Sequence, residues 1–269
     1  INKEIKLTNE GTINPAETFN FTVGNGIVES GNATSAPAFP SGTFSIDIAQ
    51  GELTGSANII LPTFDHVGEY VYEVKEAAGD TAGFVYDGVT YYLKITVINN
   101  DEGDGFIRVL TLYDGKDVKV DAFENEFYAG SLVINKKITG NYAVFDDEFE
   151  VTVVLTPDQG KNIKEGPIAI SNASSGLGSV TKNEDETVTI KFMVTHDSTV
   201  TIANIPYNVS YAVTEASGDY TATITDNDGG KIDAASQSVD IVNDLDTEIN
   251  TGINLDNLPY ILILVGAAV

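Results

Sequence analysis

The sequence has no cysteine and no tryptophan, a single methionine, two histidines, and only 14 basic residues against 40 acidic ones. Each shortage excludes something. Without cysteine, a protein working outside the cell has no disulfide staple and must draw its durability from elsewhere. A formal net charge of −26 repels the phosphates of nucleic acid and the headgroups of anionic lipid, so neither is expected as a partner. His66 and His196 stand far apart, without metal-ligand spacing. Asp226-Asn227-Asp228-Gly229-Gly230 resembles part of a calcium loop but lacks the closing bidentate glutamate, and reads as a turn. No Gly-x-Ser-x-Gly elbow, phosphate loop or zinc signature is present, so no hydrolase, metal or cofactor is expected. Nor does any stretch keep a helical period over three turns.

What is present points to strands. Hydrophobic residues make up 42% of the chain and charged residues 20%, a globular balance. Val, Ile, Thr, Tyr and Phe run in short alternating segments, as at 18–23, 68–74, 90–97, 148–155 and 187–194. The turn pairs Asn25-Gly26, Asp87-Gly88, Asp114-Gly115 and Asp228-Gly229 stand where hairpins would put them. An all-β sandwich architecture follows. The chain starts at Ile1 with neither an initiator Met nor a signal peptide, so a processed or trimmed N-terminus is expected.

An internal repeat divides the chain. Ile1-Asn2-Lys3-Glu4-Ile5 returns as Ile134-Asn135-Lys136-Lys137-Ile138, and Glu17-Thr18-Phe19-Asn20-Phe21 as Asp147-Glu148-Phe149-Glu150-Val151. Tyr72-Glu73-Val74-Lys75-Glu76 is echoed by Tyr211-Ala212-Val213-Thr214-Glu215, and Phe123-Glu124-Asn125 by Ile241-Val242-Asn243. The order is the same in both halves. Two domains are expected, 1–128 and 129–247, followed by a tail at 248–269.

Strand parity turns this repeat into chemistry. Residues i, i+2 and i+4 share a face, so Lys3 lies with Ile1, Ile5 and Leu7, and Lys136 with Leu132, Ile134 and Ile138. By the same rule Glu76 joins Tyr70, Tyr72 and Val74, and Glu215 joins Val209, Tyr211 and Val213. Asn125 lies with Phe123 and Phe127, and Asn243 with Ile241 and Leu245. Each domain thus aims one Lys, one Glu and one Asn into an apolar core. Burial of such charges is costly unless they pair or neutralise. It lowers the lysine pKa and raises that of the glutamate, making a nucleophilic amine and a proton-donating acid accessible. Held in place, the amine can attack the asparagine amide while Glu76 or Glu215 shuttles the proton to departing ammonia. The product is an amide crosslink, Lys3–Asn125 or Lys136–Asn243, formed in a single turnover. The competing expectation is a plain buried ion pair in each domain.

These ordered, duplicated motifs resemble the isopeptide-bonded backbone (major) pilin family of Gram-positive bacteria, over roughly 1–252. The resemblance implies two tandem immunoglobulin-like β-sandwich domains, each with an internal Lys–Asn isopeptide bond. It also implies a non-enzymatic subunit of an extracellular cell-wall pilus. Its expected partners are identical subunits in a covalent homopolymer, a pilus-assembly sortase, minor pilins and host surface ligands. Glu248-Ile249-Asn250-Thr251-Gly252 and the apolar run that follows look like a sortase sorting signal, with cleavage between Thr251 and Gly252. Family signals usually carry Pro where Asn250 stands. The last 12 residues, Leu258 to Val269, fall short of the roughly 20 needed to span a bilayer and lack a closing basic cluster, so a shortened tail is expected. The acceptor amine in the family lies shortly before the crosslinking Asn; Lys119 fits that place, with Lys116 the alternative. A wall-anchored adhesin or a minor tip or base pilin built from the same domains is the other reading.

Overall fold

The computed structural model describes residues 1–248 except Asp104, Asp117, Leu177 and 226–228, and every regular element among them is a strand. The first half holds β1 (Asn2–Leu7), β2 (Glu17–Val23), β3 (Ile27–Gly31), β4 (Thr43–Ile48), β5 (Thr54–Ser56), β6 (Gly68–Glu76), β7 (Phe84–Val85), β8 (Thr90–Asn99), β9 (Phe106–Tyr113), β10 (Lys119–Val120) and β11 (Ala122–Phe127). The second holds β12 (Ala129–Thr139), β13 (Phe149–Thr156), β14 (Ala169–Ser171), β15 (Ser179–Lys182), β16 (Val188–Val194), β17 (Thr199–Pro206), β18 (Ser210–Glu215), β19 (Thr221–Thr225), β20 (Gly229–Lys231) and β21 (Ser236–Asp244).

Alternation of buried and exposed residues along these strands gives each half an apolar inner face on two sheets, and the faces close on each other. In the first half a β5-β1-β11-β7 sheet packs on β10-β9-β8-β6-β2-β4, with β3 also paired to β6. In the second, β14-β17-β12-β21-β19 packs on β15-β16-β13-β18-β20. The first core is largely aromatic, with Phe19, Phe21, Phe64, Tyr72, Tyr91 and Phe123 among its members. The second is largely aliphatic, built on such residues as Val151, Val153, Ile190, Ile202 and Ile241.

In each half the first strand runs parallel to the last. Asn2 to Leu7 pair in register with Ala122 to Phe127, and Ser131 to Thr139 with Ser236 to Asp244. Parallel neighbours cannot be joined by a tight turn, so nearly a whole domain of chain separates each pair. Any bond between their side chains therefore closes a long loop.

Of the turn pairs, Asp114-Gly115 lies in a hairpin, between the paired strands β9 and β10. Asn25-Gly26 does not. It joins β2 to β3, which lie along the same edge of β6 as one interrupted strand, and a Cβ on Gly26 would overlap the Tyr72 ring. Asp87-Gly88 is no hairpin either, because it carries the chain from β7 in one sheet to β8 in the other. Asp228 lies outside the described residues, and the strands flanking its turn pair with β21 and β18 rather than with each other. Neither Gly26 nor Gly88 adopts a left-handed backbone: Gly26 is required by the close approach of the Tyr72 ring, and a Cβ at Gly88 would meet nothing.

A single residue, Tyr128, separates β11 from β12. Its N–H donates to the Gly83 carbonyl at 2.9 Å, its carbonyl accepts from Tyr207 N–H at 3.0 Å, and the two tyrosine rings lie 5.7 Å apart. Ala82 enters the second core, and Lys164 pairs with Glu17 at 2.8 Å across the join. Asn9 Nδ2 donates to Ala129 O and to the Tyr207 hydroxyl. The two halves are thereby tied on several sides rather than by the chain alone.

Candidate crosslinking sites

Each half brings its predicted Lys, Glu and Asn together in the dry space between its sheets. Lys3, Asn125, Lys136 and Asn243 are exposed by 2% or less. The side chains of Glu76 and Glu215 are exposed by 1% and 0%. The lysine and the asparagine come from the parallel first and last strands. Lys3 sits opposite Phe123, two residues before Asn125, and Lys136 sits opposite Ile241, two residues before Asn243. This offset keeps the pair on one face. The glutamate reaches across from the facing sheet, as the last residue of β6 or β18.

In the first site Lys3 Nζ is 2.8 Å from Glu76 Oε2, and Asn125 Nδ2 donates to Glu76 Oε1 at 2.5 Å. One carboxyl group therefore touches both the lysine and the asparagine side-chain nitrogen. Asn125 Oδ1 accepts from the backbone N–H of Asp87 at 2.8 Å. In the second site Lys136 Nζ is 2.8 Å from Glu215 Oε1. Asn243 Nδ2 and Oδ1 have no hydrogen-bond partner among the described residues.

An aromatic ring faces each ammonium, Phe19 at 4.9 Å from Lys3 and Phe149 at 4.4 Å from Lys136. Such rings attract the cation while keeping water out. Burial nevertheless lowers the pKa of Lys3 and of Lys136, the paired carboxylate only partly opposing it. Burial likewise raises Glu76, against the pull of Lys3 and the hydrogen bond from Asn125. In the first site desolvation thus works toward moving the proton from amine to carboxyl, which would supply a nucleophile and an acid together.

Sequence reasoning did not assign roles to Phe19, Phe149 or the Asp87 N–H. The two phenylalanines had a signal, since both stand at the same place in the repeat. The Asp87 contact had none, being made by backbone.

Lys116 and Lys119 are exposed and lie in or beside the β9–β10 hairpin. Thr251 and Gly252 lie outside the described residues. His196 Nδ1 accepts from the Ile138 N–H at 3.0 Å, a structural contact.

The fold and the paired sites define a class: tandem β-sandwiches with an amine, an acid and an amide buried in each. Residues 1–128 match the family described as Spy0128-like isopeptide containing domain. Residues 130–245 match a family described as a domain of unknown function. No curated protein matches the chain. Among solved structures the chain is similar to the major pilin of Streptococcus pyogenes, with a TM-score of 0.59 and 20% identity over 92% of this chain and 98% of that one. It is also similar to the T-13 major pilin protein of the same organism, with a TM-score of 0.52 and 20% identity over 90% and 95%. The two-domain fold is pilin-like.

Proposed function

We propose that the protein is the backbone subunit of a sortase-assembled surface pilus, with domains 1–128 and 129–247 each closed by a self-made isopeptide bond. The observation that carries this reading is the recurrence of one geometry: a buried Lys, an Asn offset by two on the parallel strand, and a Glu from the facing sheet. A plain ion pair would not require the amide. Lys3 and Asn125 are joined in the first domain, Lys136 and Asn243 in the second, and Glu76 and Glu215 carry the protons. The reaction occurs once per domain, so the protein is a product of its own chemistry rather than an enzyme.

The bond suits a load-bearing role. A pull entering at Lys119 and leaving at Thr251 runs along β11 and β12, crosses from Lys136 to Asn243, and leaves by β21. The chain between 137 and 242 lies off that path and is not extended. The crosslink also restricts the unfolded chain as a disulfide over a long loop does, by about 4 kcal/mol or more, without sensitivity to reductant.

Polymerisation joins the Thr251 carbonyl, freed from Gly252 by a sortase, to Lys119 of the next subunit. Of the 13 lysines, most are tied to a carboxylate; Lys116, Lys119 and Lys137 have no ion pair or Nζ hydrogen bond among the described residues. Two of these three lie at one exposed hairpin just before Asn125, where an incoming acyl group can reach an unencumbered amine.

Intact mass of the folded recombinant chain tests the central claim. Two bonds remove two molecules of ammonia from the calculated mass. An unmodified mass refutes the reading, and a deficit of one ammonia confines it to one domain.

A further inference from the structure

We infer that the backbone N–H of Asp87 is the oxyanion donor for the first crosslink, so that Lys3–Asn125 closes faster than Lys136–Asn243. This rests on the reading that the bonds form, and adds a catalytic group that no side chain supplies. As Lys3 Nζ attacks Asn125 Cγ, a C–N bond forms and the carbonyl π pair moves onto Oδ1. That oxygen already accepts the Asp87 N–H at 2.8 Å. Glu76 takes a proton from Nζ through Oε2 and delivers one to Nδ2 through Oε1. The C–Nδ2 bond then breaks, the oxyanion pair returns, and ammonia leaves with all protons accounted for. A fixed donor at the developing charge lowers the barrier because it needs no reorganisation in a dry site.

The local fold explains why this N–H is free to serve. β7 pairs with β11 only at Val85↔Glu126 and Phe84↔Phe127, after which the chain leaves the sheet. The crossing is held by the Asp87 carboxylate, whose Oδ1 accepts from Val89 N–H at 2.8 Å and whose Oδ2 accepts from the Tyr91 hydroxyl. The Tyr91 ring packs on Phe123 with centroids 4.2 Å apart, and Phe123 shares a face with Asn125. Donor and acceptor are thus fixed to the same strand. In the second domain β19 stays paired with β21 from Thr221↔Asp244 through Ala222↔Asn243 to Thr225↔Asp240. The backbone beside Asn243 remains in the ladder, and its amide oxygen is left without a donor among the described residues.

The test uses the full chain made by a short cell-free translation pulse, captured in urea, diluted to refold, quenched at intervals and digested. Mass spectrometry then follows each crosslinked peptide pair. In the parent chain the first pair is expected to appear before the second; the reverse order overturns the inference. Replacing the residue-87 amide by an ester, through incorporation of the α-hydroxy analogue of aspartate, removes the N–H and keeps the side chain. Slowing of about 10²-fold at Lys3–Asn125, with Lys136–Asn243 unchanged, is the expected result. A parental rate in the ester chain overturns the assignment. Tyr91→Phe keeps the ring and every N–H but removes one of the two contacts that hold the Asp87 carboxylate. It decides the matter if the ester chain does not fold: several-fold slowing confined to the first site supports the donor, and no change counts against it. Absence of both bonds from the parent would instead defeat the underlying reading.

Discussion

The two buried triads are built from the same three residue types at the same register offset, yet they hold the asparagine amide differently. Asn125 is bound at both ends, by Glu76 on its nitrogen and by the Asp87 N–H on its oxygen. Asn243 touches neither kind of partner among the described residues, although Lys136 and Glu215 stand as close to each other as Lys3 and Glu76 do. The cores differ as well, largely aromatic in the first domain and largely aliphatic in the second. Juxtaposing amine and acid is therefore a property of the sheets, because paired strands and facing inner surfaces recur in both domains. Binding the amide is a property of the connection that passes it, and the connections differ.

The largest effect comes from removing the acid. Glu76→Ala and Glu215→Ala should each abolish one bond and restore one ammonia mass while the other site still closes. Each leaves a buried lysine without a counter-charge, which costs about 3–5 kcal/mol, besides losing the constraint of the bond. Asn125→Ala and Asn243→Ala remove the bond but keep the ion pair. In unfolding experiments they should lose about 4–5 kcal/mol each, and by similar amounts, since both bonds close long loops. If Glu76→Ala and Glu215→Ala still crosslink, the carboxyl groups are not the proton carriers. A larger loss for Asn125→Ala would show that the contacts of its amide with the Asp87 N–H and Glu76 add to loop closure, and a larger loss for Asn243→Ala would point to native-state strain at the first bond.

Most of this was legible because strand parity is a strict rule. A lysine between Ile1 and Ile5 can reach solvent only if the strand is not half-buried, and the repeat at Ile134-Lys136-Ile138 made that doubtful twice over. The glutamates and asparagines followed by the same count of two. Which strands pair was not legible: nothing in the local sequence says that β1 and β11 are parallel neighbours, a choice made by the closing of two sheets on one core. The turn pairs misled for a related reason. Gly26 serves the Tyr72 ring, a long-range demand that a dipeptide does not carry, and Gly88 stands where the chain crosses between sheets. The join was hidden too, since Glu17–Lys164 and Asn9–Tyr207 link residues far apart in sequence.

Acidity should sharpen the comparison next. The reactive state, neutral Lys3 with protonated Glu76, holds as many protons as the ion pair it derives from. The rate of the first crosslink should therefore be flat across neutral pH. In acid a second proton fixes the lysine as ammonium; because burial raises Glu76, that fall should begin above the usual carboxylate range. In alkali the pair loses its only shared proton and none remains for Nδ2; because burial lowers Lys3, this fall should begin below the usual lysine range. Uncrosslinked chain captured in urea and diluted into buffers of graded pH would trace the profile by mass spectrometry. A rate that climbs steadily with pH would mean that free amine alone limits the reaction and that Glu76 donates no proton.

The smallest effect concerns the rings. Phe19 and Phe149 face the two ammonium groups, and a ring face favours the charged form by about 0.5–2 kcal/mol. Leucine in their place keeps the apolar contact and withdraws that preference, which should raise the neutral fraction and speed crosslinking a few-fold. The gain should be larger for Phe149→Leu, whose ring is nearer its lysine, at 4.4 Å against 4.9 Å. It should also survive better there, because Asn243 has no donor among the described residues, so closure at that site would depend more on how often the amine is free. A slower reaction in both variants would mean that the rings act by holding the lysine in line with the amide, and that geometry outweighs protonation at both sites.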